Sequence, residues 1–390
     1  MKDTYDIIIV GGGPAGSSAA MAAAQQGVAV LLLEKDALIG VPVRCAEGVS
    51  ERSLHQLFET DAPWVSNRIK KLSFVAPDGT EVRVSSPAIG YLLDRAAFDQ
   101  ELARQAVEAG TEVWTRACVR GLARVERERW EVSVSRGGGV DRLRARVVIG
   151  ADGVESRVGR WAGLHTATSL HDIETCVQYT MAGLEIDREC CQLHFGRQVA
   201  PGGYLWVFPK GPAVANVGVG ISGEYGHTGK AVDYLDRFVG RRFPRASVLR
   251  AVGGSVPCSL PLKEPVADGL LLVGDAAHQA DPLTGGGIMN AVRAGRLAGK
   301  VTAAAVASGD LSKKRLTVYQ KQCEEAMGKK LRRSYRLKEA IFKLSDEELN
   351  ATARALNRID PEKRTLGRIF LTALAKNPKL LADVIALFGS

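Results

Sequence analysis

Three glycines near the start of the chain are spaced to bind a phosphate group. Gly11, Gly13 and Gly16 form a G-x-G-x-x-G turn directly after an apolar run at residues 7–10. Gly11 permits a tight turn, Gly13 lets the backbone approach a pyrophosphate, and Gly16 lets the next helix pack closely on the strand. The unpaired N–H groups at the start of that helix favour negative charge. We therefore expect a strand, a turn and a helix that bind a dinucleotide.

An acidic residue closes the next apolar run, at residues 29–33. Glu34 lies about twenty residues beyond the glycine turn, where a carboxylate can accept hydrogen bonds from ribose hydroxyls and would repel a 2′-phosphate. NADP is therefore disfavoured as the ligand of this turn. Residues 7–33 carry no charge, but the glycines and Pro14 divide them into strand, helix and strand, so we do not expect a membrane span.

Two later segments indicate which dinucleotide is bound. Residues 147–157 read VVIGADGVESR, and residues 270–287 read LLLVGDAAHQADPLTGGG. With the first turn they resemble the flavoprotein hydroxylase-like superfamily, in which a G-x-G-x-x-G, a D-G and a G-D motif hold FAD. The resemblance implies that Asp275 binds the ribityl chain. It also implies that Gly286, Gly287 and Ile288 bring backbone N–H groups to the flavin ring at a helix start.

An arginine in the segment 91–99 matches the superfamily's R-x-x-F-D element. This match makes Arg95 a candidate flavin contact, because the rigid guanidinium fork suits both a phosphate and a ring carbonyl. The alternative is a salt bridge with Asp94 or Asp99 at the start of a helix.

Two further segments resemble the geranylgeranyl reductase family. Residues 42–48 read PVRCAEG and residues 203–211 read GYLWVFPKG. Members of that family are FAD proteins that hydrogenate isolated carbon–carbon double bonds of prenyl chains in archaeal-type membrane lipids, chlorophyll side chains or the menaquinone tail. This chain has Cys45-Ala46-Glu47 where the archaeal lipid reductases usually have Cys-Gly-Glu, which leaves the lipid-reductase subgroup open.

The family resemblance implies a set of cofactor-binding residues. Cys45, Ala46 and Gly48 are expected beside the isoalloxazine, Ala15 and Glu34 at the pyrophosphate and ribose, and the backbone of Val119 at the adenine. Lys35 and Arg44 complete the predicted cofactor-binding set.

Cys45 and Tyr204 are the candidate catalytic residues. A thiol beside reduced flavin could donate a proton or control flavin movement; the alternative is a small buried residue in a loop. Tyr204, Trp206 and Phe208 alternate along one strand and so share one face, where they would form an apolar wall for an isoprenoid. An ordinary aromatic core strand is the competing interpretation.

The sequence therefore predicts an FAD-dependent reductase that transfers hydride to one carbon of an isoprenoid double bond while a proton reaches the other, from Cys45, Tyr204 or an ordered water. No second G-x-G-x-x-G follows a strand, so the electrons are expected from a ferredoxin or from visiting NAD(P)H. The alternatives are an aromatic monooxygenase or halogenase, and a flavoprotein that passes electrons to quinone.

The positive charge of the chain is concentrated at one end. The chain has a net charge of +9, and residues 311–390 hold eighteen Lys and Arg against nine Asp and Glu. Helical periodicity there, and apolar runs at residues 369–374 and 380–388, accompany a basic group: Lys329, Lys330, Arg332, Arg333 and Arg336. An anionic lipid or membrane surface is a more economical partner than nucleic acid, and a solvated helix face is the alternative.

The elements expected between these motifs predict the fold class. It is α/β, with a Rossmann-type FAD-binding domain (1–68, 96–165 and 264–310) interleaved with an antiparallel-sheet substrate domain (69–95 and 166–263), and a basic helical C-terminal region (311–390). Residues 69–85 alternate about an Asp78-Gly79 turn, which predicts a hairpin. The seven cysteines show no C-x-x-C spacing, so neither a zinc site nor a disulfide framework is predicted, and a reducing cytoplasm is the expected location.

Overall fold

The computed structural model describes residues 3–58, 62–126 and 129–375, together with residues 381, 384, 385 and 387. For residues 86–88 and 126 it describes only the backbone. The described strands form two eight-stranded sheets, and helices pack against both of them.

The first sheet is built around the N-terminal strand. Its strands are β1 (Thr4–Val10), β2 (Val30–Leu33), β6 (Glu112–Trp114), β7 (Cys118–Glu126), β8 (Arg129–Arg136), β9 (Gly139–Gly150), β15 (Val266–Ala267) and β16 (Leu270–Leu272). They run in the order β15-β16-β9-β1-β2-β6, with β8 beside β9 and β7 beside β8. The strands from β16 to β6 in this order all pair in parallel. Parallel strands covered on both faces need continuous apolar runs, which is why residues 7–9 and 31–33 are almost fully buried.

The second sheet is almost entirely antiparallel. Its strands are β3 (Gly48–Ser50), β4 (Val65–Val75), β5 (Glu81–Leu93), β10 (Ile173–Ala182), β11 (Cys190–His194), β12 (Tyr204–Pro209), β13 (Val214–Ser222) and β14 (Ser247–Pro257). They run in the order β14-β10-β13-β12-β11-β4-β5-β3, and only β11 and β4 pair in parallel. The predicted hairpin is confirmed as β4 and β5, which pair antiparallel across the turn at residues 76–80.

The helices connect and cover these sheets. They are α1 (Pro14–Ala24), α2 (Glu51–His55), α3 (Arg95–Glu108), α4 (Arg157–Trp161), α5 (Ala231–Arg242), α6 (Ile288–Ser308), α7 (Lys313–Cys323), α8 (Lys329–Ile341), α9 (Asp346–Asn357) and α10 (Leu366–Ala373). Helix α5 packs on the back face of the second sheet, where Val217, Val219 and Leu205 form an apolar core with Leu235. The front face of that sheet is therefore free to meet the first sheet's loops.

The predicted fold class is confirmed: a parallel α/β core is interleaved along the chain with an antiparallel sheet, and helices follow. The exact domain boundaries stay a prediction, and β3 pairs in the second sheet although residues 1–68 were assigned to the first domain. The first predicted C-terminal apolar run falls on α10, whereas most of residues 380–388 lie outside the described residues. Among the described helices, none combines the length and apolarity needed to span a bilayer.

Candidate active site

The glycine turn after β1 has the geometry that its sequence predicted. Gly11 has a φ of +106°, and a Cβ atom there would lie 2.3 Å from the carbonyl oxygen of Ala151. A Cβ atom at Gly16 would lie 1.9 Å from the carbonyl oxygen of Gly11, so α1 can leave the turn in this direction only with glycine at that position. Nothing lies within 4 Å of the position a Cβ would take at Gly13, which leaves open space beside the start of α1.

Glu34 lies against this turn at the end of β2. Its carboxylate accepts hydrogen bonds from the backbone N–H groups of Gly12 (2.7 Å) and Asp36 (2.9 Å). The carbonyl oxygen of Glu34 accepts from the N–H of Ala117, so the segment that leads to Val119 in β7 passes directly beside it. The predicted ribose and adenine positions are therefore neighbours. Lys35, next to Glu34, is exposed to solvent.

The D-G and G-D segments each place a carboxylate next to this turn. Asp152 accepts a hydrogen bond from the N–H of Val158, and its other carboxylate oxygen is buried without a partner. Asp275 forms no hydrogen bond through its side chain in the described part of the chain and lies 3.3 Å from the position a Cβ would take at Gly287. Burial raises the pKa of both carboxyl groups. Each carboxylate is an acceptor without a full set of donors.

Helix α6 begins at Ile288, immediately after Gly286 and Gly287. Its N-cap, Gly287, provides no side-chain hydrogen bond, so N–H groups of the first turn have no capping acceptor. An open glycine turn, a carboxylate without donors and an uncapped helix start fit the pyrophosphate, ribityl chain and ring carbonyls of FAD. Ala15, in the first turn of α1, packs against Gly274 and thereby joins the two glycine segments.

Arg95 forms a salt bridge at the start of a helix, which is the alternative to the predicted flavin contact. Its guanidinium group forms two hydrogen bonds of 2.8 Å with the carboxylate of Asp99, one turn further along α3. It also lies close enough to Cys45 to oppose the effect of burial, which raises the pKa of that thiol. Arg95 thus contacts the predicted flavin loop while its charge is balanced by Asp99.

The loop that carries Cys45 is held by Glu47, which sequence reasoning did not select. Glu47 has a φ of +71° and is only 3% exposed. One carboxylate oxygen accepts from Lys210 Nζ and from Asn216 Nδ2, both at 2.6 Å, and the other accepts from the backbone N–H of Arg95 at 2.9 Å. The Glu47 carboxylate therefore ties the predicted flavin loop to the residue after β12, to β13 and to the start of α3. Its only sequence signal was the position beside Cys45-Ala46.

The three aromatic residues of β12 lie on one face, as predicted. The ring centroids of Tyr204 and Trp206 are 5.9 Å apart and those of Trp206 and Phe208 are 6.5 Å apart. Tyr204 Oη donates to the carbonyl oxygen of Thr284 (2.6 Å), next to the glycine run before α6. A Cβ at Gly48 would lie 3.2 Å from the ring of Phe208. The aromatic face therefore spans the distance between the two predicted flavin loops.

A glutamine connects this aromatic face to the cysteine loop. Trp206 Nε1 donates to Gln178 Oε1, and Gln178 Nε2 donates to the carbonyl oxygen of Cys45, both at 3.0 Å. Gln178 is 5% exposed and belongs to β10. No local pattern marks this residue, because its two partners lie in distant segments.

Glycines form the floor beside the aromatic residues. Gly218 and Gly220 of β13 pair with Trp206 and Tyr204 respectively. A Cβ atom at Gly218 would lie 2.3 Å from the Trp206 ring, so the indole covers the space that a side chain would fill. The rings of β12 and the glycines of β13 thus share the front face of the second sheet, and we call this face the groove. Arg44 lies at its rim, with its side chain 3.9 Å from the position a Cβ would take at Gly254.

His278 lies between two hydroxyl groups of distant segments. Its ring nitrogens lie 2.9 Å from Ser259 Oγ and 3.1 Å from Thr168 Oγ1, and burial lowers its pKa. All seven cysteines are free, including the adjacent pair Cys190 and Cys191.

Fold and site together define an FAD-dependent oxidoreductase built from a Rossmann-type domain and an antiparallel sheet. Residues 4–190 match a family model described as an FAD binding domain, and residues 172–256 match the geranylgeranyl reductase catalytic domain. The chain belongs to the geranylgeranyl reductase family of FAD-dependent enzymes, which reduce carbon–carbon double bonds of geranylgeranyl chains.

Relatives and solved structures agree with this assignment. The chain is 43% identical to a digeranylgeranylglycerophospholipid reductase of Methanocella arvoryzae, over 99% of this chain and 100% of the relative. It is 44% identical to the enzyme of that name from Methanosarcina acetivorans, over 100% and 97%. The crystal structure of a geranylgeranyl bacteriochlorophyll reductase-like protein from Thermoplasma acidophilum superposes with a TM-score of 0.90 at 34% identity, covering 99% of this chain and 100% of the other.

Proposed function

We propose that this chain hydrogenates the isolated double bonds of a glycerophospholipid that carries two geranylgeranyl chains. The observation that carries the proposal is the groove in which Tyr204, Trp206 and Phe208 stand beside a glycine floor and face the Cys45 loop. An isoprenoid chain is long and apolar, so a face lined by aromatic rings and glycines matches it in polarity. The names of the full-length relatives support the choice of lipid.

The predicted site residues receive roles in this scheme. The phosphate turn, Glu34, Asp275 and the start of α6 hold FAD, which in its reduced form supplies the hydride. Cys45 and Tyr204 border the groove at its two flavin loops and orient the double bond against the cofactor. Because the unactivated alkene is a poor hydride acceptor, the protein must also exclude water and bring a proton to the second carbon.

The direct test is anaerobic incubation of the FAD-loaded, chemically reduced enzyme with the unsaturated lipid in detergent, followed by mass spectrometry. Each reduced double bond adds two hydrogen atoms. Should every prenyl lipid offered remain unsaturated while the flavin stays reduced, the proposal is wrong. Saturation of a prenyl quinone but not of the phospholipid would keep the reaction and replace the substrate.

A matched pair of tryptophan variants locates the groove. Trp206→Phe removes the bond to Gln178 and part of the ring wall, so KM for the lipid should rise about tenfold. Trp130→Phe changes a tryptophan of β8 that belongs to the core of the first sheet, and KM should stay unchanged. Equal KM values in both variants would place the substrate elsewhere.

The electrons come from an external donor, a ferredoxin or NAD(P)H that visits the flavin. The support is that the other G-x-G-x-x-G of the chain, at residues 218–223, has its first two glycines within β13 and not between a strand and a helix, so the turn after β1 alone has the context of a dinucleotide fingerprint in the described part of the chain. Anaerobic stopped-flow measurement of flavin bleaching with each donor distinguishes the two. If neither donor bleaches the flavin faster than spontaneous reduction, the donor is of another class.

The enzyme works in the cytoplasm as a peripheral protein at the inner face of the membrane. Support comes from α8, where Lys329, Lys330, Arg332 and Arg336 are exposed, while Leu331 and Leu337 are fully buried. Anionic lipid attracts such a surface by about 1 kcal/mol for each cation, and salt weakens the attraction. In vesicle sedimentation, Lys329→Gln with Lys330→Gln should reduce binding to anionic vesicles and leave binding to neutral vesicles unchanged. Binding that is independent of both charge and salt would contradict this role.

A further inference from the structure

A buried carboxylate lies in the substrate groove without a role in the scheme above. Glu174, the second residue of β10, is 7% exposed. A Cβ at Gly220 would lie 2.7 Å from its carboxylate oxygen and 3.2 Å from the Sγ of Cys176. Both groups therefore cover the glycine floor on the face that carries the aromatic rings.

The sheet register places this carboxylate between the aromatic wall and a predicted flavin loop. Gly220 pairs with Tyr204 on one side and with Cys176 on the other, and directly opposed residues of antiparallel strands point to the same face. On β14, Val256 pairs with Glu174 and lies 3.8 Å from the position a Cβ would take at Gly285. Glu174 thus lies on the part of the second sheet that is next to Gly285, in the glycine run before α6.

The charges around Glu174 do not hold it fully ionised at neutral pH. Burial raises its pKa to about 7, against the opposing effects of the Lys338 ammonium group and a hydrogen bond with Cys258. Lys338 is itself paired, because its Nζ donates to Asp172 (2.8 Å) and to the carbonyl oxygen of Cys258 (2.9 Å). Its charge is therefore shared with Asp172 and does not hold Glu174 ionised.

The thiols and the phenol that face the groove hold their protons more tightly than Glu174 does. Burial raises the pKa of Tyr204 well above its ordinary value and also raises the pKa values of Cys176, Cys258 and Cys45. The carboxylate of Asp281, near Tyr204, accepts hydrogen bonds from Ser334 and from the backbone N–H of Leu283. A general acid works best when its pKa lies near the working pH, which favours the carboxyl group over the thiols and the phenol.

We propose that Glu174 is the acid that delivers the proton to the double bond. This inference rests on the proposed function. The π bond of the alkene is replaced by two C–H bonds: one forms with the hydride that the reduced cofactor supplies, and the other with the proton released by the Glu174 carboxyl group. The cofactor is oxidised, the alkene is reduced, and the carboxylate takes up a proton from water before the next turnover.

The first experiment needs no substrate. Infrared difference spectra of the FAD-loaded protein between pH 5 and pH 9 should contain a protonated-carboxyl band that disappears with a midpoint of about 7. The band should be absent in Glu174→Gln and present in Glu185→Gln, an exposed control outside the groove. A band that persists in Glu174→Gln, or no band with this midpoint in the wild-type protein, would overturn the inference.

The second experiment measures single-turnover oxidation of the reduced flavin by the prenyl lipid. The wild-type rate should fall as the pH rises through about 7. Glu174→Gln should be at least about 100-fold slower and lose this pH dependence, Glu174→Asp should recover part of the rate, and FAD affinity and dithionite reduction should not change. If the wild-type enzyme reduces the lipid and Glu174→Gln keeps its rate and pH profile, the inference fails alone. If the wild-type enzyme leaves the lipid unsaturated, the proposed function fails, and the infrared result still reports on Glu174.

Discussion

Replacing Glu47 with glutamine tests whether its carboxylate holds the cysteine loop. One oxygen accepts from Lys210 and Asn216 and the other from the N–H of Arg95. A glutamine has a single acceptor oxygen, so in either amide orientation its NH₂ group faces at least one of these donors. Asn216 is fully buried, and Lys210 would lose its ion-pair partner.

The cost follows from the groups left without partners. An orphaned buried donor costs about 1–3 kcal/mol and a broken buried ion pair about 3–5 kcal/mol, and the partial exposure of Lys210 reduces the second figure. We expect Glu47→Gln to lower the free energy of unfolding by about 2–4 kcal/mol in urea titrations. Iodoacetamide should also alkylate Cys45 more quickly, because the loop that carries Cys45 loses the contacts of the Glu47 carboxylate.

A surface pair provides the control. Lys70 and Glu189 are joined by a bond of the same length, 2.6 Å, but their side chains are 46% and 29% exposed. Glu189→Gln should therefore leave the free energy of unfolding close to that of the wild type and leave Cys45 alkylation unchanged. The reasoning is refuted if Glu47→Gln and Glu189→Gln have equal stabilities and equal alkylation rates.

Three further predictions concern the turn, the groove and a histidine on the surface. Gly16→Ala should abolish FAD binding, measured by the flavin retained after gel filtration, because its methyl group would collide with a carbonyl oxygen; retained flavin would contradict the assigned packing. Gly218→Ala should displace the Trp206 ring and destabilise the protein by about 1–3 kcal/mol, and unchanged indole fluorescence would count against the collision. His171 contacts the carboxylates of Glu224 and Glu339, which raise its pKa, so its contribution to stability is complete below pH about 6.5 and disappears as the pH rises through the raised value. The free energies of unfolding of the wild type and His171→Asn, obtained from urea titrations, should therefore differ at pH 5.5 by less than about 1 kcal/mol, after allowance for solvent screening, and converge at pH 9; a difference that grows with pH would reverse the assigned sign.

The nucleotide turn and the β4–β5 hairpin could be predicted because their causes are local. The turn at Gly11 requires a positive φ, and the contact at Gly16 involves a residue only five positions away. The hairpin requires alternation on both sides of Asp78-Gly79. The position of Arg95 one turn before Asp99 in α3 accounts for its salt bridge, and its flavin contact stays a prediction.

The sequence by itself determined the cofactor, the family and the aromatic strand, because each is encoded in residues that are close together in the chain. The tertiary structure alone decided which polar side chains surround the predicted site. Glu47 meets Asn216 across 169 positions and Gln178 meets the Cys45 carbonyl across 133, and Glu174 reaches Gly220 through strand pairing. Such contacts depend on sheet register and on the burial that register creates, and no local pattern specifies either of them.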